Sequence, residues 1–396
     1  MRSPRAQTLH LGPTPAPETT HQLADPCGKF LPALVYHDLR DRLCGHRDRA
    51  RARWGAIDRP HAPGKLIWVA AGSTRESVRL AVELCRAILA RRLDVGMTLT
   101  FEREYPDLLS PLANVPRIAC TYAPADYAAT MNAVWRRLLP FAIVLAGVTP
   151  RQNMIRLCRA SRHAVLVAPP DSISGRYERI YPSHRTAHEG ANIAPAVDLS
   201  VLLVPGRAGS DVGRVAEAGA GRGLFLYHGT DVATVKRIFA LFRGHLPEDV
   251  MLVSGPACAE LRQYAGETVR LSTWAGAPLT PEKLVLVDDT TWFSSVAADV
   301  WAVHFELAAW DLAWQALAAG ACLSSVETAL PSAPHARSVI LEYTDENTLV
   351  ADWAQLSRDA ERRDVQRTAS RNAYANERDA AYQAVTELLD RVCAWR

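Results

Sequence analysis

The amino-acid sequence predicts an α/β protein with two Rossmann-like domains that face each other across a cleft. Its 396 residues suggest two domains of ordinary size, and 48% of them are hydrophobic, which is ample for two buried cores. Short apolar runs of strand length alternate with segments of helical period, as in parallel sheets covered by helices on both faces. The alternation occurs twice, and a stretch with six glycines between residues 206 and 223 separates the two sets.

The first set begins with the apolar run 66–71, LIWVAA. Gly72-Ser73-Thr74 follows it, and apolar residues then recur at helical spacing between residues 77 and 92. Another helix is predicted over 127–139. The strands predicted in this set are 66–71, 96–101, 116–120, 141–146, 164–168 and 200–204.

The second set follows the glycine-rich stretch, which is the predicted linker. Its predicted strands are 224–227, 250–254, 284–287, 300–305, 321–324 and 339–341, and a helical tail is predicted over 349–395. Open α/β sheets bind ligands at the carboxyl ends of their strands, so a substrate held between two such domains is expected. Glycosyltransferases of the GT-B fold are the commonest proteins built this way. The predicted division is a disordered lead over 1–35 and Rossmann-like domains over 36–215 and 216–396.

Composition excludes several classes of protein. A net charge of +3 disfavours a dedicated nucleic-acid binder, so no nucleic-acid partner is predicted. The eight cysteines form no C-x-x-C pair, which favours reduced thiols over a zinc site or a disulfide framework. No secretory signal is evident, and the apolar runs are far shorter than the roughly 20 residues of a membrane span. A cytoplasmic protein, soluble or peripherally bound, is expected.

Residues 37–59 form a mostly basic helical stretch with little apolar content. One interpretation is a solvated or loosely docked helix. The other is attraction to an acidic membrane surface, which would place the protein peripherally on the inner membrane. Arginine supplies nearly all the basic residues, since lysine occurs at only four positions. Arginine suits phosphate and carboxylate recognition, although a codon bias toward arginine is the simpler explanation of the excess.

Several catalytic motifs are missing from the sequence. It contains no P-loop and no G-x-S-x-G nucleophile elbow. The glycines at 219, 221 and 223 precede a predicted strand, whereas a dinucleotide-binding fingerprint follows one. No D-x-D motif stands at a strand end, so metal-assisted sugar-nucleotide chemistry is not supported.

The informative segment runs from residue 68 to residue 76, where a strand meets a helix. Ser73 and Glu76 match the capping box S-x-x-E, which predicts that their side chains satisfy backbone N–H groups of the first helical turn. That structural role needs no function. A functional role is also open, because a carboxylate at the carboxyl end of a strand can act as a general base toward a sugar hydroxyl.

In this segment and beyond it, the sequence resembles the 3-deoxy-D-manno-octulosonic acid (Kdo) transferases of lipopolysaccharide synthesis. The family's basic segment, I-W-x-H-A strand and S-x-G-E motif resemble residues 51–55, 66–71 and 73–76. Its P-x-D and R-P-x-x-x-I motifs resemble residues 124–126 and 139–143. Its D-T-x-G-E-L, A-D-V and alanine-rich segments resemble residues 289–293, 298–300 and 314–321. The matches are collinear over about residues 35–392.

The resemblance implies transfer of Kdo from CMP-Kdo to a hydroxyl group of a lipid A precursor, with inversion. Glu76 falls on the family's catalytic carboxylate and would deprotonate the acceptor hydroxyl. No cofactor and no metal ion are expected. The first domain would be the acceptor side and the second the nucleotide-sugar side. The substrate-binding residues that this interpretation assigns are Ser73, Thr74, Arg75, Arg151, Ser254, Gly255, Asp289, Thr290 and Gln315.

The sequence departs from the family at several of these places. Arg75 stands where the family has glycine, and Gln315 where it has a ribose-binding glutamate. The phosphate-facing arginine of the family's P-R-H-P loop is missing at 254–257, and the acidic acceptor motif is missing at 146–153. Two alternatives therefore stay open. One is a GT-B transferase that uses another nucleotide sugar in capsule or exopolysaccharide synthesis. The other is a non-catalytic paralogue that binds a glycan or a protein partner.

Overall fold

This computed structural model describes residues 31–61, 64–169, 175–183, 191–204, 222–264, 268–270, 281–287, 299–307, 309–326, 333–343 and 345–396. The first sheet has six parallel strands in the order β3-β2-β1-β4-β5-β6. Its strands are β1 (Lys65–Ala71), β2 (Val95–Phe101), β3 (Ile118–Tyr122), β4 (Ala142–Ala146), β5 (His163–Val167) and β6 (Arg179–Tyr181). The helices of this half are α1 (Leu31–Leu43), α2 (Arg47–Arg53), α3 (Arg75–Arg91), α4 (Pro106–Leu109), α5 (Ala128–Leu138) and α6 (Gln152–Ala160).

The central strand β1 shows why an uninterrupted apolar run forms here. Successive side chains of a strand point to opposite faces, and helices cover both faces of this sheet. Ile67 and Val69 therefore pack into one core cluster, while Leu66 and Trp68 pack into another. Trp68 is fully buried, and its indole N–H donates to Thr100 Oγ1 at 3.0 Å, which satisfies the one polar atom of the side chain.

The second sheet has seven parallel strands in the order β13-β12-β11-β7-β8-β10-β9. They are β7 (Leu224–His228), β8 (Val250–Ser254), β9 (Thr268–Arg270), β10 (Leu284–Leu286), β11 (Val300–Phe305), β12 (Cys322–Ser325) and β13 (Leu341–Glu342). The helices of this half are α7 (Val232–His245), α8 (Ala257–Leu261), α9 (Trp310–Ala319), α10 (Pro334–Arg337), α11 (Glu346–Arg358) and α12 (Ala360–Ala394).

The end of helix α12 packs against the first sheet and so connects the two halves of the chain. Arg92 donates to Val392 O at 2.8 Å and to Trp395 O at 3.0 Å. The Trp395 ring stacks on the His163 ring at 4.8 Å between centroids, and its indole N–H donates to Glu178 at 3.3 Å. The first domain therefore holds the C-terminal segment by both backbone and side-chain contacts.

Most predicted strands are confirmed, with one clear error. The run 200–204 is not a strand but part of a 3₁₀ helix, Leu199–Leu203, because the Asp198 carboxylate accepts from Ser200 N at 3.0 Å and caps it. The short strands β6 and β9 were not predicted, and the predicted strand 339–341 only overlaps the two residues of β13. The predicted tail consists of two helices that meet at Asp359, whose side chain caps α12.

The domain boundary predicted at 215/216 and most of the predicted lead lie outside the described residues, so the division stays a prediction. Helix α1 begins at Leu31, within the stretch assigned to the lead. The seven cysteines that the structure describes form no disulfide bond. No helix within the described ranges combines the length and the apolar character that crossing a bilayer requires.

Candidate functional site

A cavity of about 890 Å³ lies at the carboxyl edge of the first sheet. Its floor is formed by the segments that follow β2, β3 and β4, since the carboxyl ends of parallel strands meet at one edge. Helices α1 and α2 supply the opposite wall. The charged and polar residues around it include His37, His46, Arg49, Arg53, Glu102, Arg103, Glu104, Asp126, Arg151 and Asn153.

Asp126 organises the floor of this cavity. Its carboxylate accepts from Asn153 N at 3.2 Å and from Met154 N at 2.9 Å, so it caps α6, whose N-cap residue Arg151 forms no side-chain cap. Burial raises the pKa of the Asp126 carboxyl above its ordinary value, and the hydrogen bonds from Asn153 and Met154 offset part of that rise. Asn153 is 9% exposed, and its Oδ1 is buried without a partner among the described residues.

Charges of both signs alternate around the cavity. Arg53 pairs with the buried Asp41 at 2.6 Å, and Arg151 lies 3.8 Å from Glu102 across the cavity floor. The Tyr122 hydroxyl donates to Glu104, and burial together with that carboxylate raises the pKa of Tyr122 to about 12. Carboxylates accept hydrogen bonds, hydroxyls both donate and accept them, and guanidinium groups donate them, so the lining suits a ligand rich in hydroxyl and acid groups.

At the end of β1 the predicted capping box is wrong by one residue. Thr74, not Ser73, is the N-cap of α3, and its hydroxyl accepts from Ser77 N at 3.2 Å. The helix therefore begins at Arg75, which moves Glu76 from the N3 position, where it could reach back to the cap, to N2. Ser73 lines the cavity. Glu76 is exposed in the first turn of α3 and is not one of the lining residues.

Arg75 projects to the surface, where its guanidinium pairs with both carboxylate oxygens of Asp107. Half of the Arg75 side chain is exposed, at 50%. The other arginine predicted from the resemblance, Arg151, is more exposed, at 69%. Exposed ion pairs contribute little to stability, so both guanidinium groups can exchange their carboxylate for a substrate anion at low cost.

Ser77 is a structural residue of the site that sequence reasoning missed. Its Oγ accepts from Gly72 N at 2.6 Å and donates to Ala146 O at 2.7 Å. Gly147, with a φ of +60°, packs so closely that a Cβ there would lie 2.8 Å from Ser77 Cβ. One buried hydroxyl therefore joins the loops after β1 and β4. No motif indicates this role, because serine in a helical first turn is common.

In the second half, Ser254 and Gly255 stand at the carboxyl end of β8. Ser254 is buried, and its Oγ is 2.8 Å from His228 Nδ1 at the end of β7. Burial lowers the pKa of His228, although the charge of Glu306 acts in the opposite direction. Gly255 has a φ of +93°, and a Cβ there would lie 2.7 Å from Gly229 O, so the tight turn after β8 requires glycine.

Gln315 lies in α9, half-buried, and its Oε1 is buried without a hydrogen-bond partner in the described part of the chain. Asp289 and Thr290, which the resemblance also assigned to the substrate, fall outside the described residues. The structure therefore brings Ser254 and Gly255 together at one strand end and places Gln315 on the helix after β11. His228 and Glu306, which end β7 and follow β11, were not predicted.

No protein-family model matches the sequence, and no curated protein sequence matches it. Solved structures match in fold. A UDP-N-acetylglucosamine 2-epimerase aligns with a TM-score of 0.54 and 11% identity, over 83% of this chain and 95% of that chain. The UDP-GlcNAc 2-epimerase from Neisseria meningitidis, bound to UDP-GlcNAc, aligns with a TM-score of 0.53 and 8% identity over 82% and 100%.

Phytolacca americana UGT2, complexed with UDP-2-fluoro-glucose and pterostilbene, aligns with a TM-score of 0.50 and 9% identity, over 84% of this chain and 100% of that chain. At these identities the likeness shows the fold alone. The chain has a GT-B-like α/β fold, with two Rossmann-like domains across a cleft, as the sequence predicted.

Proposed function

We propose that the chain is an inverting glycosyltransferase of the Kdo-transferase type, which moves Kdo or a related sugar from a CMP-sugar to a lipid A precursor or a related glycan. The observation that carries the proposal is the cavity of about 890 Å³ at the carboxyl edge of the first sheet. Its carboxylates, guanidinium groups and amides can hydrogen-bond the hydroxyl and acid groups of a sugar acceptor. The GT-B-like fold and the collinear motifs support the same proposal.

Glu76 is the proposed general base. Its exposed carboxylate lies at the carboxyl end of β1 and forms no ion pair or hydrogen bond with the described residues. In the proposed reaction the carboxylate takes the proton of the acceptor hydroxyl, and the acceptor oxygen attacks the anomeric carbon of the sugar. CMP then leaves from the opposite face with the electron pair of the broken bond. Ser73, which lines the cavity three residues earlier, would guide the acceptor toward Glu76.

The remaining predicted residues divide between the two substrates in this proposal. Arg75 and Arg151 offer positive charge to an acidic substrate, because their present partners are exposed carboxylates. Ser254 and Gly255 offer a close backbone approach at the end of β8. Gln315 Oε1, which has no hydrogen-bond partner among the described residues, can accept from a sugar or ribose hydroxyl. Asp289 and Thr290 complete the proposed donor side.

Release of CMP from CMP-Kdo in the presence of a lipid A precursor tests this function. Glu76→Gln should lower kcat by about 10²–10⁴-fold, the usual contribution of a general base. Glu83→Gln is the matched control, since Glu83 is an exposed carboxylate on the same helix, paired with Arg86. Full turnover in the Glu76 variant would contradict the assignment of the base. Absence of turnover with every sugar donor would favour the non-catalytic paralogue.

A second candidate is a GT-B transferase that uses a UDP-sugar. The matching epimerase from Neisseria meningitidis is bound to UDP-GlcNAc, and Phytolacca americana UGT2 is complexed with UDP-2-fluoro-glucose. Thermal unfolding separates the two candidates, because a ligand at 100 times its Kd stabilises the folded state by about 2.7 kcal/mol. Stabilisation by CMP but not UDP supports the Kdo-type donor, and the reverse result supports the second candidate.

The proposal includes a peripheral contact with an acidic bilayer through α1. Val35, Leu39 and Leu43 recur at four-residue spacing on this helix and are 49%, 55% and 79% exposed. Helices α1 and α2 also carry exposed arginines, and Leu34 and His37 of α1 line the cavity. An interfacial helix with this character would bring a lipid-linked acceptor next to its cavity.

Sedimentation with vesicles containing phosphatidylglycerol tests that contact. Leu39→Asp combined with Leu43→Asp should abolish binding. Leu93→Asp, a change at a residue that is 82% exposed and lies outside α1, should not affect it. Equal vesicle binding by the wild type, the double variant and the Leu93→Asp variant would contradict the proposal that α1 contacts the bilayer.

A further inference from the structure

A second cavity, of about 700 Å³, lies where β5 begins. Three of the residues around it are Arg159, near the end of α6, Arg162, directly before β5, and Arg176, before β6. The first cavity lies where strands end, so the two cavities open at opposite edges of the same sheet. This volume falls within the range of roughly 300–1,000 Å³ that is typical of small-molecule sites.

No carboxylate among the described residues pairs with these three guanidinium groups. Arg159, Arg162 and Arg176 are all exposed, and no hydrogen bond or ion pair joins them to any residue that the structure describes. Arg162 only faces the ring of Phe141, at 5.8 Å. By contrast, nearby Arg179 pairs with a glutamate at 2.9 Å. The cavity therefore holds positive charge that the described residues leave unneutralised.

Among the lining residues that the structure describes, Glu178 is the one carboxylate, and its oxygens already have partners. They bind His163 Nδ1 at 2.9 Å, Arg391 Nη1 at 3.3 Å and Trp395 Nε1 at 3.3 Å. Glu178 is thus part of the contact that holds the C-terminal segment and does not compensate the three arginines. The net charge of the lining stays positive, and an anion would meet little repulsion from it.

His163 adds a second polar group that lacks a partner. Its Nε2 is buried without a hydrogen bond among the described residues, while its Nδ1 is engaged by Glu178. Since a carboxylate only accepts, Nδ1 donates to Glu178, and in the neutral imidazole Nε2 is then an acceptor. A monoprotonated phosphate group provides oxygens that accept from guanidinium groups and an O–H that can donate to Nε2.

We propose that this cavity binds a phosphate-bearing anion at a site separate from the cavity at the carboxyl edge. The planar fork of arginine matches phosphate oxygens in pairs, which favours phosphate over a simple halide. Because the cavity is open to solvent, binding weakens as salt is raised. The anion would connect α6, the start of β5 and the segment 175–178, next to the stacked Trp395. The phosphate could belong to a soluble metabolite or to a lipid headgroup.

Equilibrium dialysis of the full chain against labelled inorganic pyrophosphate tests the proposal. The variant combines Arg159→Gln, Arg162→Gln and Arg176→Gln. The control combines Arg86→Gln, Arg136→Gln and Arg358→Gln at three other exposed arginines, which keeps the change in net charge the same. The first variant should lose one equivalent of bound pyrophosphate, or bind it at least about tenfold more weakly, as expected for lost charge-assisted hydrogen bonds. The control should bind like the wild type.

A second arm distinguishes the source of the phosphate. Vesicle flotation is measured with a protein that carries Leu39→Asp and Leu43→Asp. These two substitutions remove the contact proposed for α1 and leave the arginine cavity intact. Flotation that depends on the three arginines, without binding of soluble pyrophosphate, assigns the phosphate to a lipid headgroup. Equal pyrophosphate binding by variant and control, or no binding in either arm, overturns the proposal.

Discussion

Replacing Ser77 with alanine tests how the loops at the carboxyl edge of the first sheet are held. The Ser77 hydroxyl accepts from Gly72 N at 2.6 Å and donates to Ala146 O at 2.7 Å. Ser77 is 3% exposed, so water does not readily replace it. β1 ends at Ala71 and β4 at Ala146, and this hydroxyl joins the ends of two paired strands.

The cost of the change follows from the two backbone groups that lose a partner. A buried N–H left without an acceptor costs about 1–3 kcal/mol. A carbonyl tolerates the loss better, because it has two lone pairs and strand pairing can use one of them. We therefore expect Ser77→Ala to lower the free energy of unfolding by about 2 kcal/mol, which is about 30-fold in the ratio of folded to unfolded protein.

Urea denaturation and hydrogen exchange together measure this effect. A chain with two domains can unfold in more than one step, so exchange at the Gly72 amide is needed to locate the loss in the first domain. Ser73→Ala is the matched control, since the structure gives the exposed Ser73 hydroxyl no hydrogen bond. It should change stability by less than about 0.5 kcal/mol. Equal stability of the two variants, with unchanged protection at Gly72, would refute the reasoning.

Three further predictions follow from caps and from the C-terminal contact. Thr74→Ala should lower the free energy of unfolding by about 1 kcal/mol in urea denaturation, since it removes the N-cap of α3. The hydroxyl and backbone N–H of Thr348 lower the pKa of the Asp345 carboxyl to about 2. The charged Asp345 carboxylate therefore stabilises the folded protein fully above about pH 4, and this stabilisation is lost as the pH falls through 2. The difference in Tm between wild type and Asp345→Asn should consequently shrink over that interval. Arg92→Met removes the hydrogen bonds to Val392 O and Trp395 O, each worth about 1.5–3 kcal/mol, together with the ion pair to Asp94, and should speed proteolysis of the C-terminal segment. An unchanged cleavage rate would contradict the role given to this contact.

The fold was predictable because its strands are buried on both faces. An apolar run such as 66–71 can hardly be placed anywhere but the centre of a parallel sheet, and the helical period after it fixes the alternation. The same logic failed at 200–204, where a serine and four apolar residues are equally compatible with a helical turn. There the preceding Asp198 decides the outcome by capping the backbone. Short strands such as β6 and β9 have three residues each, too few to show any period.

The candidate site was predictable in its location but not in its pairings. Glu102 and Asp126 both follow predicted strands, and the carboxyl ends of parallel strands always meet at one edge, so their approach to the cleft could have been found without any motif. Which side chains then face each other depends on the order of the strands in the sheet. The sequence does not specify that β1 lies between β2 and β4. For that reason Arg151 was predicted as a free substrate ligand, whereas it lies 3.8 Å from Glu102. An acidic substrate must therefore displace Glu102 to reach Arg151. Glu102→Gln should consequently strengthen the binding of an acidic substrate, and a higher KM in that variant would show that Glu102 itself contacts the substrate.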